Sequence, residues 1–395
     1  MKKMEVKPKI ETFARIKVLG IGGSGTNAVN RMTQLGIKGV EFISINTDAQ
    51  ALHNNQADRK VHIGKAATKG LGSGMNPDLG RQAAEESVEE LEEVIDNADM
   101  IFITCGLGGG TGTGAAPIVA ELAKNKAVLT VAVVTKPFTF EGSKRKEVAE
   151  TGYDNLKDKV DAIISIHNDR ILQIIDKKTS LIDAFKTVDE VLRQGIAGIS
   201  DLITTHGIVN ADFADVKSIM MDAGTALMGI GHATGENRAQ EAAKAAISSP
   251  LLEMTIDGAK GVLFNITGGS SLGMFEIDEA AKVITKSIDP DAKVKFGAVI
   301  DESMGDEVRI TVIATGFDES SKRASPSAMV LNDEPRKPKI QEPKITASPV
   351  MAPLEFRKPM FNPKPAPPVE IVNPQPAESD EDELDIPAFI RKKMK

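Results

Sequence analysis

The chain has 395 residues, with 34 glycines, 20 prolines, one cysteine, one tyrosine and no tryptophan. At 41% hydrophobic and 26% charged it can bury a sizeable core, which excludes a wholly disordered chain, a collagen-like repeat and a disulfide-stapled mini-protein. A net charge of −8 with 4% aromatics offers neither the basic footprint nor the stacking surface of a nucleic-acid binder, so no nucleic-acid partner is expected.

In chain order, RIKVLGI (15–21) reads as a buried strand, 25–35 as a helix and VEFISIN (40–46) as a second strand. An acidic amphipathic helix is expected over Leu79 to Ile95. A strand follows at 100–104, a helix at 113–124, a strand at 128–134, a charged helix at 143–157 and a strand at 161–166. Strands of near-continuous β-branched residues alternating with helices argue for a parallel sheet covered on both faces. Ile182, Phe185, Val188, Leu192, Ile196, Ile199 and Leu202 then recur every three or four residues, the signature of one long helix from Leu181 to Thr205. At about 1.5 Å per residue it would be ~36 Å long, a strut between two domains. Strands at 226–231, 260–267, 293–300 and 307–315, with helices at 236–248 and 276–287, read as a smaller α+β domain. Every glycine lies at or before Gly316, whereas 14 of the 20 prolines follow Phe317. That shift marks residues 318–379 as a disordered linker and 380–395 as a distinct tail; six acids from Glu378 to Asp385 stand ahead of the apolar Ile386, Phe389 and Ile390, and four bases follow. The expected divisions are thus 1–14, 15–180, 181–206, 207–317, 318–379 and 380–395.

Cys105 is alone and cannot form an internal disulfide, which fits a reducing compartment. No apolar run approaches the roughly 20 residues of a membrane-spanning helix, so no direct membrane insertion is expected. The basic N-terminal stretch has no apolar segment of a secretory signal.

Three glycine-rich segments carry the chemistry. Gly20-Ile21-Gly22-Gly23-Ser24-Gly25 joins the first strand to a helix, the context in which backbone N–H groups receive a phosphate. With Asp48 at the end of the second strand, it also fits a dinucleotide-binding oxidoreductase, in which that acid would hold a ribose. The second segment, Gly106 to Gly114, has six glycines in nine residues and opens another helix. Such a run forfeits backbone entropy that a simple corner would not require. It reads as a cradle of N–H groups with Thr111 and Thr113 hydroxyls added. Two such loops after neighbouring strands suggest a polyphosphate gripped from both sides. The third, Gly70 to Pro77, reads equally as a surface loop or a phosphate contact. No G-x-x-x-x-G-K-[ST] and no N-K-x-D occur, and the five histidines lack zinc spacing, so no metal site is expected from side chains alone.

Gly108 to Gly114 reads GGGTGTG, the tubulin signature. With GIGGSGTNAVNRM (20–32), FISINTDAQAL (42–52), PFTFEGSKR (137–145) and NADFADV (210–216), the chain closely resembles the FtsZ family of bacterial tubulin-like cell-division GTPases over its whole length. The resemblance implies a tubulin-like α/β fold: a Rossmann-type parallel-sheet GTP-binding domain, a long central helix and a smaller α+β domain. It implies GTP or GDP with Mg²⁺ as ligands. It assigns Gly23, Ser24, Gly25, Thr26 and Asn27 to the first contact loop, Gly72 to the third segment, and Gly108, Gly109, Gly110, Thr111 and Gly112 to the triphosphate loop. Glu141 and Arg145 would contact ribose and phosphate. Asn168, Phe185 and Asp189 would face guanine, with Phe185 stacking on it. Asn210, Asp212 and Asp215 would form a catalytic loop that each subunit offers to the next one's nucleotide, giving head-to-tail filaments and a cytokinetic ring in the cytoplasm at mid-cell. Leu384, Asp385, Ile386, Pro387, Phe389, Ile390, Arg391 and Lys392 would bind division proteins and membrane tethers. Without the resemblance, Phe185 reads as core, and Asp212 and Asp215 read as helix-capping charges.

Overall fold

The computed structural model describes residues 14–317 apart from Lys38, Lys177, His206, Ile208, Asn210 and Glu253. The expected linker and tail, with every tail residue named above, lie outside the described residues, as does Asn210. Among the described residues no helix is long and apolar enough to cross a membrane.

The first half runs β1 (Ile16–Ile21), α1 (Gly22–Leu35), β2 (Val40–Asn46), α2 (Ala49–His53), β3 (Arg59–His62), α3 (Lys65–Thr68), α4 (Pro77–Glu86), α5 (Val88–Ile95), β4 (Met100–Gly106), α6 (Thr111–Asn125), β5 (Leu129–Lys136), α7 (Ser143–Lys157), β6 (Ala162–His167) and α8 (Asn168–Ile171). The second half runs α9 (Leu181–Thr204), α10 (Phe213–Met220), β7 (Gly224–Ala233), α11 (Arg238–Ile247), β8 (Gly261–Gly268), α12 (Met274–Thr285), β9 (Lys293–Ile300) and β10 (Val308–Thr315).

The ten strands of the described residues join one sheet in the order β3-β2-β1-β4-β5-β6-β7-β10-β8-β9. The pairings from β3 to β7 are parallel, as the β-branched runs require. β7 is the seam. Its start, Gly224 to Ala226, pairs parallel with β6, while Leu227 to Ala233 pair antiparallel with β10. The smaller half therefore continues the sheet of the larger one.

Side chains alternate across the parallel strands. Val18, Phe102, Val131 and Ile164 pack toward Val188, Leu192 and Ile196 of α9. Leu19, Ile103, Ala132 and Val134 pack on the other face, with Val94, Ala116 and Val119. Buried among these, the Cys105 thiol is pushed up to about 12, which suits a packing residue and not a nucleophile. α9 starts where Ser180 Oγ accepts the Asp183 N–H at 3.1 Å, a side-chain N-cap. Two of its glycines permit close crossing: a Cβ on Gly195 would stand 2.6 Å from Met228 Sδ, and one on Gly198 2.8 Å from Thr311 Cγ2. The expected single acidic helix is two, because the backbone breaks at Ser87, whose hydroxyl accepts the Gly64 N–H at 3.1 Å.

Candidate functional site

The strand order 3-2-1-4-5-6 reverses direction between β1 and β4, and open parallel sheets bind ligands at that switch point, beyond the carboxyl ends of their strands. Both long glycine loops leave the sheet there. Gly20 is paired with Thr104, so the two loops emerge side by side. They interlock: Gly22 has φ +73°, and a Cβ there would lie 2.7 Å from Gly112 N. Only glycine fits that approach.

Two adjoining cavities open at this edge. One, of about 330 Å³, lies among Ser24, Asn27, Glu141, Arg145, Asn168, Phe185 and Asp189, with Thr135 and Pro137 from the end of β5. The other, of about 260 Å³, lies among Gly23, Asn46, Asp48, Gly72, Ser73, Gly109, Gly110, Thr111 and Gly112. Ser24, Gly106 and Arg145 line both, so they form one groove. The first end carries an aromatic ring and amide and carboxyl groups, suited to a base. The second is walled by backbone and hydroxyls, suited to phosphates.

Most expected contact residues thus meet in one groove, but Gly25, Thr26 and Gly108 line neither cavity. Gly25 packs so closely that a Cβ would strike Thr104 O, and the Thr26 hydroxyl donates to Gly23 O at 3.1 Å. Gly108, at φ +91°, lies against the Arg145 backbone, and its N–H is used by Thr113 Oγ1 at 3.0 Å. The Thr113 hydroxyl therefore braces the loop from behind. Asp48 departs from the ribose role of the oxidoreductase reading. Its Oδ1 caps α2, accepting the Gln50 and Ala51 N–H groups, and it lines the phosphate end.

Phe185 is 42% exposed, which corrects the reading of it as core. The apolar stripe of α9 outruns the sheet at its first turns, so Ile182 and Phe185 project past the core while Val188 onward are buried. Phe138 steadies the Phe185 ring edge-on, centroids 5.6 Å apart. Burial pushes the Asp189 carboxyl up to about 6, against a lowering pull from Arg31.

Glu141 Oε2 receives Arg145 Nη1 at 2.9 Å, and its Oε1 receives the Phe138 N–H at 2.9 Å. Among the described residues, three side chains that line the groove each hold a buried atom without a hydrogen-bond partner: Asn168 Oδ1, Arg145 Nε and Asn46 Nδ2. Asn168 is 5% exposed and Asn46 2%. Buried polar groups are seldom left unpaired, so these three are the groove's candidates for pairing with a ligand. Asn46, Ser73, Thr135 and Pro137 were missed in the sequence. Their signal was position, within a residue or two of a strand's carboxyl end or in the third glycine segment.

Asp212 and Asp215 are not in this groove. α9 contributes Phe185 and Asp189 to the groove and runs from there for about 28 Å to Thr204. Thr204 meets Gly39, just before β2, and the Gly224 N–H beyond α10 donates to Asp161 O, just before β6. The chain thus leaves α9 at the amino edge of the parallel strands. Asp212 Oδ1 caps α10, accepting the Asp215 N–H at 2.7 Å, and Asp215 Oδ1 pairs with Lys295 Nζ at 2.7 Å.

Family models match two stretches: the Tubulin/FtsZ family GTPase domain over residues 15–176, and the FtsZ family C-terminal domain over 224–318. Among solved structures, an empty FtsZ dimer from M. jannaschii is 46% identical, with 78% of this chain and 89% of that chain covered at a TM-score of 0.75. The GDP-bound CetZ1 monomer from Haloferax volcanii shares the fold at 20% identity, with 77% and 95% covered and a TM-score of 0.67. The GTPγS-bound CetZ2 protofilament from the same organism does so at 21% identity, with 77% and 94% covered and a TM-score of 0.65.

Proposed function

Because the chain belongs to the tubulin/FtsZ family, a family of GTPases, we propose that it assembles head to tail and hydrolyses GTP at the junction between copies. In this reading the filaments build the cytokinetic ring in the cytoplasm, under the membrane at mid-cell. The observation that carries it is the division of the machinery: a nucleotide-shaped groove at one edge of the sheet, and the Asp212–Asp215 pair at the other.

The groove fits a guanine nucleotide. Phe185 would stack on the base, the Asp189 carboxylate would accept guanine N–H donors, and Asn168 Oδ1 would accept another. Arg145, oriented by Glu141, would hold phosphate, and Asn46 Nδ2 would donate to phosphate oxygen. The backbone N–H groups of Gly109, Gly110 and Gly112 would complete the cradle. Mg²⁺ needs few protein ligands when phosphates supply the rest, and Asp48 is the acid lining the phosphate end. The cation would neutralise charge on the phosphates. Asp212 and Asp215 of a neighbouring copy would orient the attacking water, and Asn210 would join them.

Head-to-tail contacts of this kind propagate as open filaments. Exposed Phe140, Leu181 and Ile182 beside the base cavity, and Leu71 and Met75 beside the phosphate cavity, support a second copy as the cover. The tail segment 384–392 would bind division proteins and membrane tethers, with residues 318–379 as its leash. Titration with GTP, ATP and NAD⁺ tests the groove, and light scattering with GTP tests assembly. Preference for NAD⁺ would restore the oxidoreductase reading, and binding without scattering would refute filament formation.

A further inference from the structure

Asp212 and Asp215 open α10, a helix anchored in the core by Val216, Ile219 and Met220, all buried. The segment leading into it is strapped to β9, the edge strand of the sheet. The Ala298 N–H donates to Val209 O at 3.0 Å, and a Cβ on Gly297 would lie 3.3 Å from the same oxygen. Lys295 comes two residues before Gly297, so it stands on the same face of β9. There its Nζ meets Asp215 Oδ1 at 2.7 Å, which is a second tie between α10 and this strand.

The two carboxylates are held in the same way, each by one oxygen. Asp212 Oδ1 accepts the Asp215 N–H, and Asp215 Oδ1 carries the ion pair with Lys295. Among the described residues neither Oδ2 accepts a hydrogen bond, so each acid keeps one oxygen for a water. The Lys295 and Asp215 side chains are 45% and 31% exposed, and pairs so open to solvent add little to stability. What the pair supplies is direction. A carboxylate that is to orient a water in another molecule's site must itself be fixed, because a displacement of about 1 Å can cost on the order of a hundredfold in rate. The α10 backbone fixes the Asp215 Cα, and Lys295 fixes where the carboxylate points.

Resting on the reading of the junction given above, we propose that Lys295 is a positioning residue for hydrolysis: its ammonium holds the Asp215 carboxylate by Oδ1, with Oδ2 presented to the water in the neighbouring copy's groove. Lys295 acts through Asp215 and contributes nothing to the groove of its own chain, whose cavities it does not line. Its removal should therefore lower turnover and leave nucleotide binding alone.

The test compares the full-length wild type with Lys295→Met, which keeps the length and loses the charge, and Lys295→Arg, which keeps the charge. Three quantities are read: GTP turnover per sedimented subunit with Mg²⁺, the assembly threshold by light scattering, and GDP affinity by calorimetric titration. Lys295→Met should lose about tenfold in turnover per sedimented subunit, with GDP affinity and threshold within about twofold of wild type, and Lys295→Arg should recover most of the rate. In an Asp215→Asn background, followed as slow single-turnover hydrolysis, Lys295→Met should cost nothing further, since the amide offers no charge to hold. If Lys295→Met fails to fold, Lys295→Gln serves in its place. An unchanged rate per sedimented subunit, or a loss that only follows a raised threshold, would overturn this inference alone. So would a further loss in the Asp215→Asn background, which would mean that the ammonium acts on its own. A wild type whose rate per subunit does not depend on assembly would overturn the reading of the junction, and this inference with it.

Discussion

Ser73 Oγ occupies the space that a Cβ on Gly110 would need, and the Asn76 backbone N stands 2.8 Å from the same point. The loop before α4 therefore rests directly on the backbone of the glycine-rich loop between β4 and α6. Gly109, one residue earlier, is different: a Cβ there would meet only Gly106 O, at 4.0 Å. Neighbouring glycines thus have separate reasons to be glycine.

Those reasons predict different mutant behaviour. Gly110→Ala should destabilise the fold by about 1–3 kcal/mol, because backbone must move to admit the methyl. Gly109→Ala should melt close to wild type. Gly109→Arg should stay folded by circular dichroism yet lose nucleotide binding, since its side chain would enter the cavity. Near-normal GTP affinity in folded Gly109→Arg would remove this loop from the site.

Asp189 predicts a pH dependence. Without ligand its burial favours the protonated form below about 6. For an acid so raised, the nucleotide-free fold loses stability as pH climbs from the ordinary carboxylate range through 6. Guanine N–H donors call for the carboxylate, so below pH 6 binding must first release its proton. GDP affinity should be nearly flat from pH 7 to 8 and fall about fivefold between pH 6 and 5, the slope approaching tenfold, or about 1.36 kcal/mol, per pH unit only below that. Asp189→Asn should bind weakly at all these values without that slope. The same slope in Asp189→Asn would assign the titration to another group.

Phe185 is half exposed, so Phe185→Ala should change stability by less than about 1 kcal/mol. Base stacking on an aromatic ring is worth about 1–3 kcal/mol, so GDP binding should weaken about tenfold or more. Equilibrium titration beside a thermal melt separates the two. A large stability loss with unchanged affinity would return Phe185 to the core.

The parallel sheet was legible because strands buried on both faces must be apolar throughout, as in MIFIT at 100–104 and VLTVAVV at 128–134. β3, Arg-Lys-Val-His, was not, because an edge strand buries little: Val61 alone of the four is buried. The break at Ser87 was also hidden, since a side-chain bond to Gly64 across the fold sets it and the helical period continues past it. The glycine loops announced the phosphate end of the groove. Its base end was legible only through family resemblance, since nothing in the spacing of α9 tells Phe185 from Val188. What separates them is where the sheet ends beneath the helix.

In the proposed filament, one chain holds the groove and lends its carboxylates to another. Asp212 and Asp215 stand beyond the far end of α9, with Asp215 held to Lys295. The direct measurement is GTP hydrolysis per subunit across a dilution series, with light scattering on the same samples and Asp215→Ala as control. The account predicts GTP binding but almost no turnover below the assembly threshold, a rate per subunit that climbs with scattering above it, and GTP binding without turnover in Asp215→Ala. A rate per subunit that stays constant down to monomeric protein would mean that the site is complete within one chain.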